Sequence, residues 1–241
     1  VDTIGSVMAV PALPSTSPSL TAPSYYWKFN DNAASTTVVA ATGSQNATAS
    51  VNTSVMSVAG VTGTALQCQS SGSQNITLAS GTTYVSSNVF SMSIWLYPDG
   101  TSGTDRYVWD SAIGNGKLSM IRDNQTLRMY IYPGGNVVTT GNVITAAGQW
   151  YHILYTQDGT DAKIYINGSL SATGSGTGDE TPAISTNGLT VGRHATNGSK
   201  AAEGRLDDFT IWDGTALSAT EVAAVYGSGT PPDITTGLPG G

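Results

Sequence analysis

Apolar and small polar residues alternate along many short stretches of the chain, and turn residues separate these stretches. The stretch 90–97, Phe-Ser-Met-Ser-Ile-Trp-Leu-Tyr, alternates until a proline, as an antiparallel strand with one buried face does. The stretch 150–172 is interrupted by Asp158-Gly159 and Asn167-Gly168, and Asn-Gly between alternating segments is a strong hairpin signal. It therefore predicts a three-strand meander. Further strands are predicted at 25–29, 37–40, 65–69, 75–79, 107–111, 117–122, 126–132, 189–193 and 204–212.

The last of these strands, Gly-Arg-Leu-Asp-Asp-Phe-Thr-Ile-Trp, carries two acidic residues among apolar ones. Because side chains alternate along a strand, Asp207 is predicted to share a face with Phe209 and Ile211, and Asp208 to point the other way. A bare buried charge is too costly. Asp207 is therefore expected either to accept backbone N–H hydrogen bonds or to bind a hard cation.

The chain is predicted to fold as one all-β domain, a two-sheet antiparallel sandwich over 25–227. One short C-terminal helix is predicted because Ser218 and Glu221 form a capping-box pair and Gly227 is a stop signal. Residues 1–24, with prolines among Ser, Thr and Ala, predict an extended arm, and residues 228–241 a Pro- and Gly-rich tail. Ordered termini of this composition need a surface to lie against, so we expect both to contact other subunits.

Composition and charge exclude several classes of partner. The net charge is −7 and the nine Lys and Arg residues are scattered, so a nucleic-acid partner is not expected. No stretch approaches the ~20 continuous apolar residues of a membrane-spanning helix, so membrane insertion is not expected either. Cys68 is the only cysteine, which rules out an intrachain disulfide and a cysteine-based metal site.

The chain resembles the laminin G-like branch of the concanavalin A-like lectin/glucanase superfamily, to which pentraxin-type sandwiches also belong. Four segments carry the resemblance, in this order: the strand 90–98, the Trp-Tyr-His-Ile and Lys-Ile-Tyr-Ile-Asn-Gly runs at 150–153 and 163–168, Leu-Thr-Val-Gly-Arg at 189–193, and 204–212 with Ala-Leu-Ser at 216–218. The match covers about residues 25–226. It implies a jelly-roll sandwich, often stabilised by one Ca²⁺, that recognises glycans or proteins outside cells or on particle surfaces.

The resemblance also implies a place for the cation. In the family, the Asp at the position of Asp207 meets the loop after the first aromatic strand, which is Asn30-Asp31-Asn32 here. This predicts a structural Ca²⁺ site on Asp207 and Asp31 with nearby backbone carbonyls, and with Asn30 as a further ligand. Turn chemistry explains the same residue types equally well, as an Asx-turn at 30–32 beside a backbone-bonded Asp207.

The inventory of reactive residues argues against catalysis. A retaining glycosidase needs two carboxyl groups roughly 5 Å apart, and the glucanase relatives carry theirs in a short Glu-x-Asp run. The only glutamates are Glu180, Glu203 and Glu221, and none lies in such a run. His152 and His194 are the only histidines, and no Gly-x-Ser-x-Gly elbow is present. An enzyme is therefore not expected.

Aromatic residues beside amides and carboxylates predict a sugar-binding surface, because sugars stack on exposed rings. Trp27, Trp95 and Trp150 lie in predicted strands and are expected to fill the core. Loops and strand ends supply the candidate ligand-binding residues, which are Trp109, Asp110, Tyr132, Asn136, His194 and Asn197.

Two functions fit these features. The first is a non-catalytic recognition or adhesion module, extracellular or on a particle surface, that binds a glycan or protein ligand. The second is a structural component, such as a decoration or fibre protein of a virus particle or another extracellular assembly. In the second case the terminal arms would contact neighbouring subunits.

Overall fold

The computed structural model describes residues 19–71, 73–111, 117–132, 135–176 and 189–238, and these form two antiparallel β-sheets packed face to face. The predicted two-sheet sandwich with one short C-terminal helix is confirmed. Sheet one consists of β1 (Tyr25–Trp27), β4 (Ser57–Ala59), β5 (Thr64–Cys68), β7 (Val89–Pro98), β12 (Tyr151–Asp158), β13 (Asp161–Ile166), β14 (Ser169–Ser175) and β16 (Gly204–Asp213). Sheet two consists of β2 (Thr37–Val38), β3 (Ala47–Ala49), β6 (Ile76–Thr77), β8 (Arg106–Ser111), β9 (Leu118–Asp123), β10 (Thr126–Ile131), β11 (Gly135–Thr139) and β15 (Leu189–Val191).

The spatial order of sheet one is β14-β13-β12-β7-β16-β5-β4, with β1 also paired to β16. Strands β12, β13 and β14 form the predicted meander, and Asn167 and Gly168 both have positive φ at the tight turn between β13 and β14. Strand β16 is central, because β7 pairs along one side of it while β5 and β1 share the other. The order of sheet two is β11-β10-β9-β8-β15-β6-β3-β2.

The main core lies between the two sheets and is built from the apolar side of each alternating strand. At one end the rings of Trp27 and Trp109 each lie 5.9 Å from the ring of Phe209, which joins the two sheets. Cys68 is buried in this core, and burial raises the pKa of its thiol to about 12. The thiol is therefore a packing group and is protonated at neutral pH.

A second apolar cluster lies on the outer face of sheet one, beneath the C-terminal helix α2 (Ala219–Tyr226). Val222 and Val225 pack there with Trp212 of β16. The predicted capping box is present, with Ser218 and Glu221 satisfying each other's backbone N–H groups, and Gly227 ends the helix in the left-handed conformation. The sequence pattern does not predict the one-turn helix α1 (Thr53–Met56) or the short strands β3, β4 and β11.

The described parts of the two termini lie against the sandwich and against each other. Leu20 and Leu238 pair in an antiparallel bridge with backbone hydrogen bonds of 2.9 and 3.0 Å. Ile234 is buried in the cluster under α2, and the Trp212 indole N–H donates to the Thr21 carbonyl at 3.0 Å. Contacts of the termini with other subunits stay a prediction. In the part of the chain that the structure describes, no helix is long and apolar enough to cross a membrane.

Candidate functional site

Strand β16 contains a β-bulge at its two aspartates. The pairing with β7 shifts register between Asp207 and Thr210, so Asp208 and Phe209 lie opposite a single residue of β7. Asp208 has a φ of 50°, in the left-handed region that non-glycine residues seldom occupy. The backbone therefore turns between the two acidic residues instead of continuing the regular pleat.

The bulge corrects the predicted orientation of Asp207. Leu206 and Phe209 both lie in the core between the sheets, although regular alternation would place them on opposite faces. Asp207 points to the outer face of sheet one, so the prediction that it shares a face with Phe209 and Ile211 is wrong. An extra residue in a strand cannot be seen in the alternation itself, because the residues on either side keep an apolar pattern.

The carboxylate of Asp207 is buried and accepts backbone N–H hydrogen bonds. Its Oδ2 accepts from the N–H of Val61 at 2.9 Å, and its Oδ1 accepts from the N–H of Asp208 at 3.1 Å. Gly60 allows this approach, because a Cβ there would lie 2.6 Å from Asp207 Oδ2. Burial, and then the charge of Asp208, raise the pKa of Asp207 to about 9.

Asp208 is 7% exposed and lines a cavity beside the bulge. The Tyr26 hydroxyl donates a hydrogen bond to its Oδ1. Burial raises the pKa of Asp208 to about 6, while that hydrogen bond opposes the rise. The cavity has a volume of about 230 Å³ and is lined by Tyr26, Lys28, Asn30, Thr62, Asp208, Pro231, Pro232 and Asp233.

Of the three predicted metal ligands, Asn30 is the one that lines this cavity. Its Oδ1 accepts from the N–H of Thr64 at 2.8 Å. Asp31 lies beyond it, lining a neighbouring cavity of about 220 Å³, and its Oδ1 accepts from the N–H of Val39 at 3.1 Å. The structure therefore brings Asn30 together with Asp208, and directs Asp31 to the backbone of the β2 segment.

The cavity has the chemistry of a hard-cation site. It is lined by the buried carboxyl group of Asp208, whose pKa is raised, and its own cation, Lys28, pairs with Asp233 at 3.0 Å. Among the described residues no three or more Asp, Glu, His or Cys side chains form a metal-binding group, so backbone carbonyls or water would complete the coordination. The residues present fit a cation held by Asp208 and Asn30. Ca²⁺ binding stays a prediction.

The outer face of sheet two carries a second group of polar and aromatic side chains. Strand register aligns one row across neighbouring strands, consisting of Tyr130, Ser119, Asp110, Thr190, Thr77, Thr48 and Thr37. Tyr132 follows β10 with the same parity as Tyr130 and is 46% exposed. We call the aromatic end of this surface the tyrosine face, defined by Tyr107, Tyr130, Tyr132 and His194 with Asp110, Lys117, Ser119 and Arg128 between them.

Asp110 holds the loop that carries His194. It is fully buried, and its Oδ2 accepts from the N–H of Ala195 at 2.8 Å. The Nδ1 of His194 accepts from the N–H groups of Thr196 and Asn197, both at 3.1 Å, so Nδ1 carries no proton. The 3.7 Å approach of Asp110 to this nitrogen is therefore not an ion pair, and burial lowers the pKa of His194.

The cations of the tyrosine face and its border all have carboxylate partners. Lys117 lies 3.3 Å from Asp110, and Arg128 contacts Asp105 at 2.7 Å. Lys200 also contacts Asp105 at 2.7 Å. Lys117, Arg128 and Lys200 are thus each matched by a carboxylate, so the described polar groups of this surface present mainly hydrogen-bonding capacity.

The structure separates the six predicted ligand-binding residues. Asp110, Tyr132 and His194 belong to the tyrosine face, and Asn197 lies exposed in the His194 loop. Trp109 points the other way, is fully buried in the core, and cannot meet a surface ligand, contrary to the expectation. The next residue, Asp110, faces outward because successive side chains point to opposite faces at this end of β8. Asn136 lies in β11, and its side chain is outside the described part of the structure.

Trp27 is buried in the core, as its strand predicts. Trp95 is buried on the outer face of sheet one, against Tyr226 of α2, and not in the core, and Trp150 is only partly buried. It precedes β12 and lies on the outer face of sheet one, where its ring meets Tyr97 at 5.3 Å. The expectation that Trp150 fills the core is wrong. The alternation of the segment could have shown this, because Tyr151 and Ile153 face the core and Trp150 therefore falls on the opposite face.

The remaining candidates for acid–base chemistry have structural contacts. Glu203 accepts a hydrogen bond from Ser70, and Glu221 belongs to the helix cap, while Glu180 lies outside the described residues. His152 is buried between aromatic rings, and burial lowers its pKa to about 3. It is therefore neutral at physiological pH.

Comparisons with solved structures recover the same fold. Domain 4 of an extracellular arabinanase from Geobacillus stearothermophilus, solved with arabinotriose, matches with a TM-score of 0.65 and 20% identity, covering 86% of this chain and 98% of that one. The binding domain of botulinum neurotoxin serotype D matches with a TM-score of 0.65 and 16% identity, covering 88% of this chain and 54% of that one. At such identities the likeness shows the fold alone.

Comparison at the level of sequence identifies the family. No curated protein sequence matches the chain. The family model described as the concanavalin A-like lectin/glucanases superfamily, in its laminin G-like form, matches residues 70–223, which include the meander, the closing strand and most of helix α2. The chain therefore belongs to the concanavalin A-like lectin/glucanase superfamily.

Proposed function

We propose that the protein is a non-catalytic glycan-binding module and that the tyrosine face is its binding surface. The observation that carries the proposal is the placement of Tyr130 and Tyr132 on one outer face, beside the buried Asp110 that holds the His194 loop. Two tyrosine rings offer faces on which sugar C–H groups stack, and the tyrosine hydroxyls and the His194 imidazole offer hydrogen bonds to sugar hydroxyls, while the buried Asp110 positions the His194 loop.

The charges of the tyrosine face favour a neutral glycan. Lys117 and Arg128 both have carboxylate partners, so an acidic sugar would have to break an existing ion pair to find a cation. A neutral sugar needs only hydrogen bonds and ring contacts. The arabinotriose complex of the arabinanase domain supports the proposal by analogy, since that domain shares the fold and holds a neutral oligosaccharide.

Replacing the partly exposed Tyr130 and the exposed Tyr132 is expected to weaken glycan binding without loss of fold. A Tyr130→Ala/Tyr132→Ala variant loses two aromatic contacts, each worth ~0.5–1.5 kcal/mol, so affinity should fall about tenfold or more. A glycan array followed by titration calorimetry measures this, with Val55→Ala as a surface control that is 65% exposed and away from the face. Wild-type protein that binds no glycan on the array overturns the proposed function.

We further propose that one Ca²⁺ binds at the Asp208 cavity and stabilises the sandwich. The ion would compensate the charge of the buried Asp208 and tie the first aromatic strand, through Asn30, to β16. Asp208 takes the role that the sequence predicted for Asp207, because Asp208 lines the cavity and Asp207 does not.

Calcium is expected to raise the melting temperature, and the response should depend on Asp208. At a free Ca²⁺ concentration of 100 times Kd, the stabilisation is ~2.7 kcal/mol, or roughly 5–11 °C for a domain of this size. Asp208→Asn should lose the response, and Asp31→Asn should keep it. Thermal melts with calcium and with EGTA measure both. Equal melting temperatures in the two buffers contradict the site.

We propose an exterior location for the module, outside cells or at a particle surface. Support comes from the named contexts of two proteins of the same fold, an extracellular arabinanase and a neurotoxin binding domain. The described parts of both termini contact the chain's own sandwich, so the proposal does not extend to a structural role in an assembly.

A further inference from the structure

A second aromatic and polar row crosses the outer face of sheet one. Strand β7 pairs Tyr97 with Arg205 of β16, which in turn pairs with Gln67 of β5. On the other side β12 pairs Tyr151 with Leu96, so Trp150 lies opposite Tyr97. Four side chains from four neighbouring strands thus form one row, and we call it the Trp150 row: Trp150, Tyr97, Arg205 and Gln67.

The Trp150 row is the part of this face that helix α2 leaves open. In the preceding row, Trp95 and His152 are 3% and 1% exposed because Tyr226 of α2 lies over both, with ring distances of 5.6 and 6.0 Å. Trp150 and Tyr97 lie beyond the residues that Tyr226 covers, and both remain partly exposed. Packing of the helix therefore accounts for the buried rings and leaves the two rings of the Trp150 row partly exposed.

The contacts inside the row fix the orientation of its groups. The Trp150 and Tyr97 rings meet edge to face at 5.3 Å, and the Arg205 guanidinium lies 4.4 Å from the Tyr97 ring centre. The ring contact orients the guanidinium, and among the described residues it has no carboxylate partner within salt-bridge distance. Its Nη1 donates to the Ala59 carbonyl at 3.4 Å and its Nε is buried, so the Nη2 N–H groups are the donors left for a ligand.

Carboxylate and amide groups border the same row. Asp99 Oδ2 accepts from the side-chain amides of Gln67 and Gln69, at 2.8 and 3.1 Å. These bonds fix the amides of two residues of the β5 segment and leave the amide oxygens and the second Asp99 oxygen as acceptors. Partly exposed rings, an oriented guanidinium and fixed amide and carboxylate groups together match a sugar ring, whose C–H face stacks while its hydroxyls donate and accept.

We propose that the Trp150 row is a second saccharide-binding site, separate from the tyrosine face. Arg205 and Asp99 balance in charge, so the site takes a neutral sugar unit in a chain rather than a phosphate or a polyanion. The two sites lie on the outer faces of opposite sheets and therefore point away from each other. A single domain with two such faces can bridge two glycan chains, and this bridging, unlike the site itself, rests on the proposed function of the tyrosine face.

Ligand titration of matched variants tests the second site. The probes are arabinotriose, cellotriose, mannotriose and N-acetylchitotriose, measured by calorimetry and by tryptophan fluorescence. Wild-type protein should bind two molecules of a recognised probe. Trp150→Ala should weaken one of the two sites by about two- to twelvefold, the size of a lost aromatic contact. Trp150→Phe should keep the site but lose the fluorescence change, and Arg205→Gln should weaken it with an intact melt.

The outcomes separate this inference from the proposed function. If Trp150→Ala and Arg205→Gln keep both stoichiometry and affinity while the Tyr130/Tyr132 variant loses binding, the second site is wrong and the tyrosine face stands. If Trp150→Ala and Arg205→Gln weaken binding while the Tyr130/Tyr132 variant keeps both stoichiometry and affinity, the second site stands and the tyrosine face is wrong. Wild-type protein that binds none of the four probes overturns both. Thermal melting of each variant excludes loss of fold as the cause.

Discussion

In the presence of EGTA, the free energy of unfolding is expected to fall by on the order of 3 kcal/mol between about pH 7 and about pH 9. The cause is Asp207, whose pKa is about 9 in the folded protein against an ordinary value of 3.8. In this window the unfolded chain has already released the proton that the folded chain keeps. The folded state therefore binds more protons, and its stability decreases as the pH rises.

Below this pH window, other groups change the free energy of unfolding in the opposite direction. Burial lowers the pKa values of His152 and His194, so the unfolded chain binds more protons at these histidines and stability rises with pH up to about their ordinary value of 6.5. Above that value both histidines are neutral in both states. The carboxyl groups with lowered pKa values, such as Asp233, change charge only at acidic pH.

Urea denaturation at several pH values measures how the free energy of unfolding changes with pH. Substitutions then identify the group that causes the change. Asp207→Asn removes the titrating group and should flatten the curve, although it also weakens one hydrogen bond to the backbone. The control is Asp161→Asn, at an acid whose side chain is 49% exposed, and it should leave the slope unchanged. Saturating Ca²⁺ should reduce the slope if the ion binds at Asp208. A wild-type curve that is flat across the window contradicts the buried acidic pair.

Trp27→Ala is expected to destabilise the domain by about 3–5 kcal/mol, the usual cost of removing a large ring from a core. Trp27 is fully buried, lies 5.9 Å from the Phe209 ring and 6.0 Å from the Tyr84 ring, and donates its indole N–H to the Gln45 carbonyl at 3.0 Å. Its removal leaves a cavity at the junction of β1, β16 and the second sheet, and it leaves a carbonyl without its donor.

Chemical denaturation of the Trp27 variant gives the change directly. Leu170→Ala is the matched control, because Leu170 is 55% exposed on β14 and its truncation should stay within ~0.5 kcal/mol. In a domain of this size, Trp27→Ala should lower the melting temperature by roughly 6–20 °C. A loss below about 1 kcal/mol would mean that the first strand adds little to the core, and the inferred role of β1 would be wrong.

The sequence by itself determined the strands that carry strong alternation and the helix that carries a capping box. Strand β7, the meander from β12 to β14, and the Ser218 and Glu221 cap all lie where local patterns predict them, because their signals depend on neighbouring residues only. The ordered set of these segments also indicated the superfamily, which the family match confirms. Short strands such as β3 and β4 have no such signal, since their Ser, Thr and Ala residues fit a loop equally well.

Only the tertiary structure decided which side chains reach each candidate site. The bulge at Asp208 is stabilised by long-range contacts with Tyr26 and with the Gly60–Gly63 turn, and it reverses the face on which Asp207 lies. Trp109 and Trp150 exchange their expected roles for a similar reason, since sheet one covers the Trp109 ring and helix α2 stops short of the Trp150 ring. Burial of a side chain is set by what packs over it, and those partners lie far away in sequence.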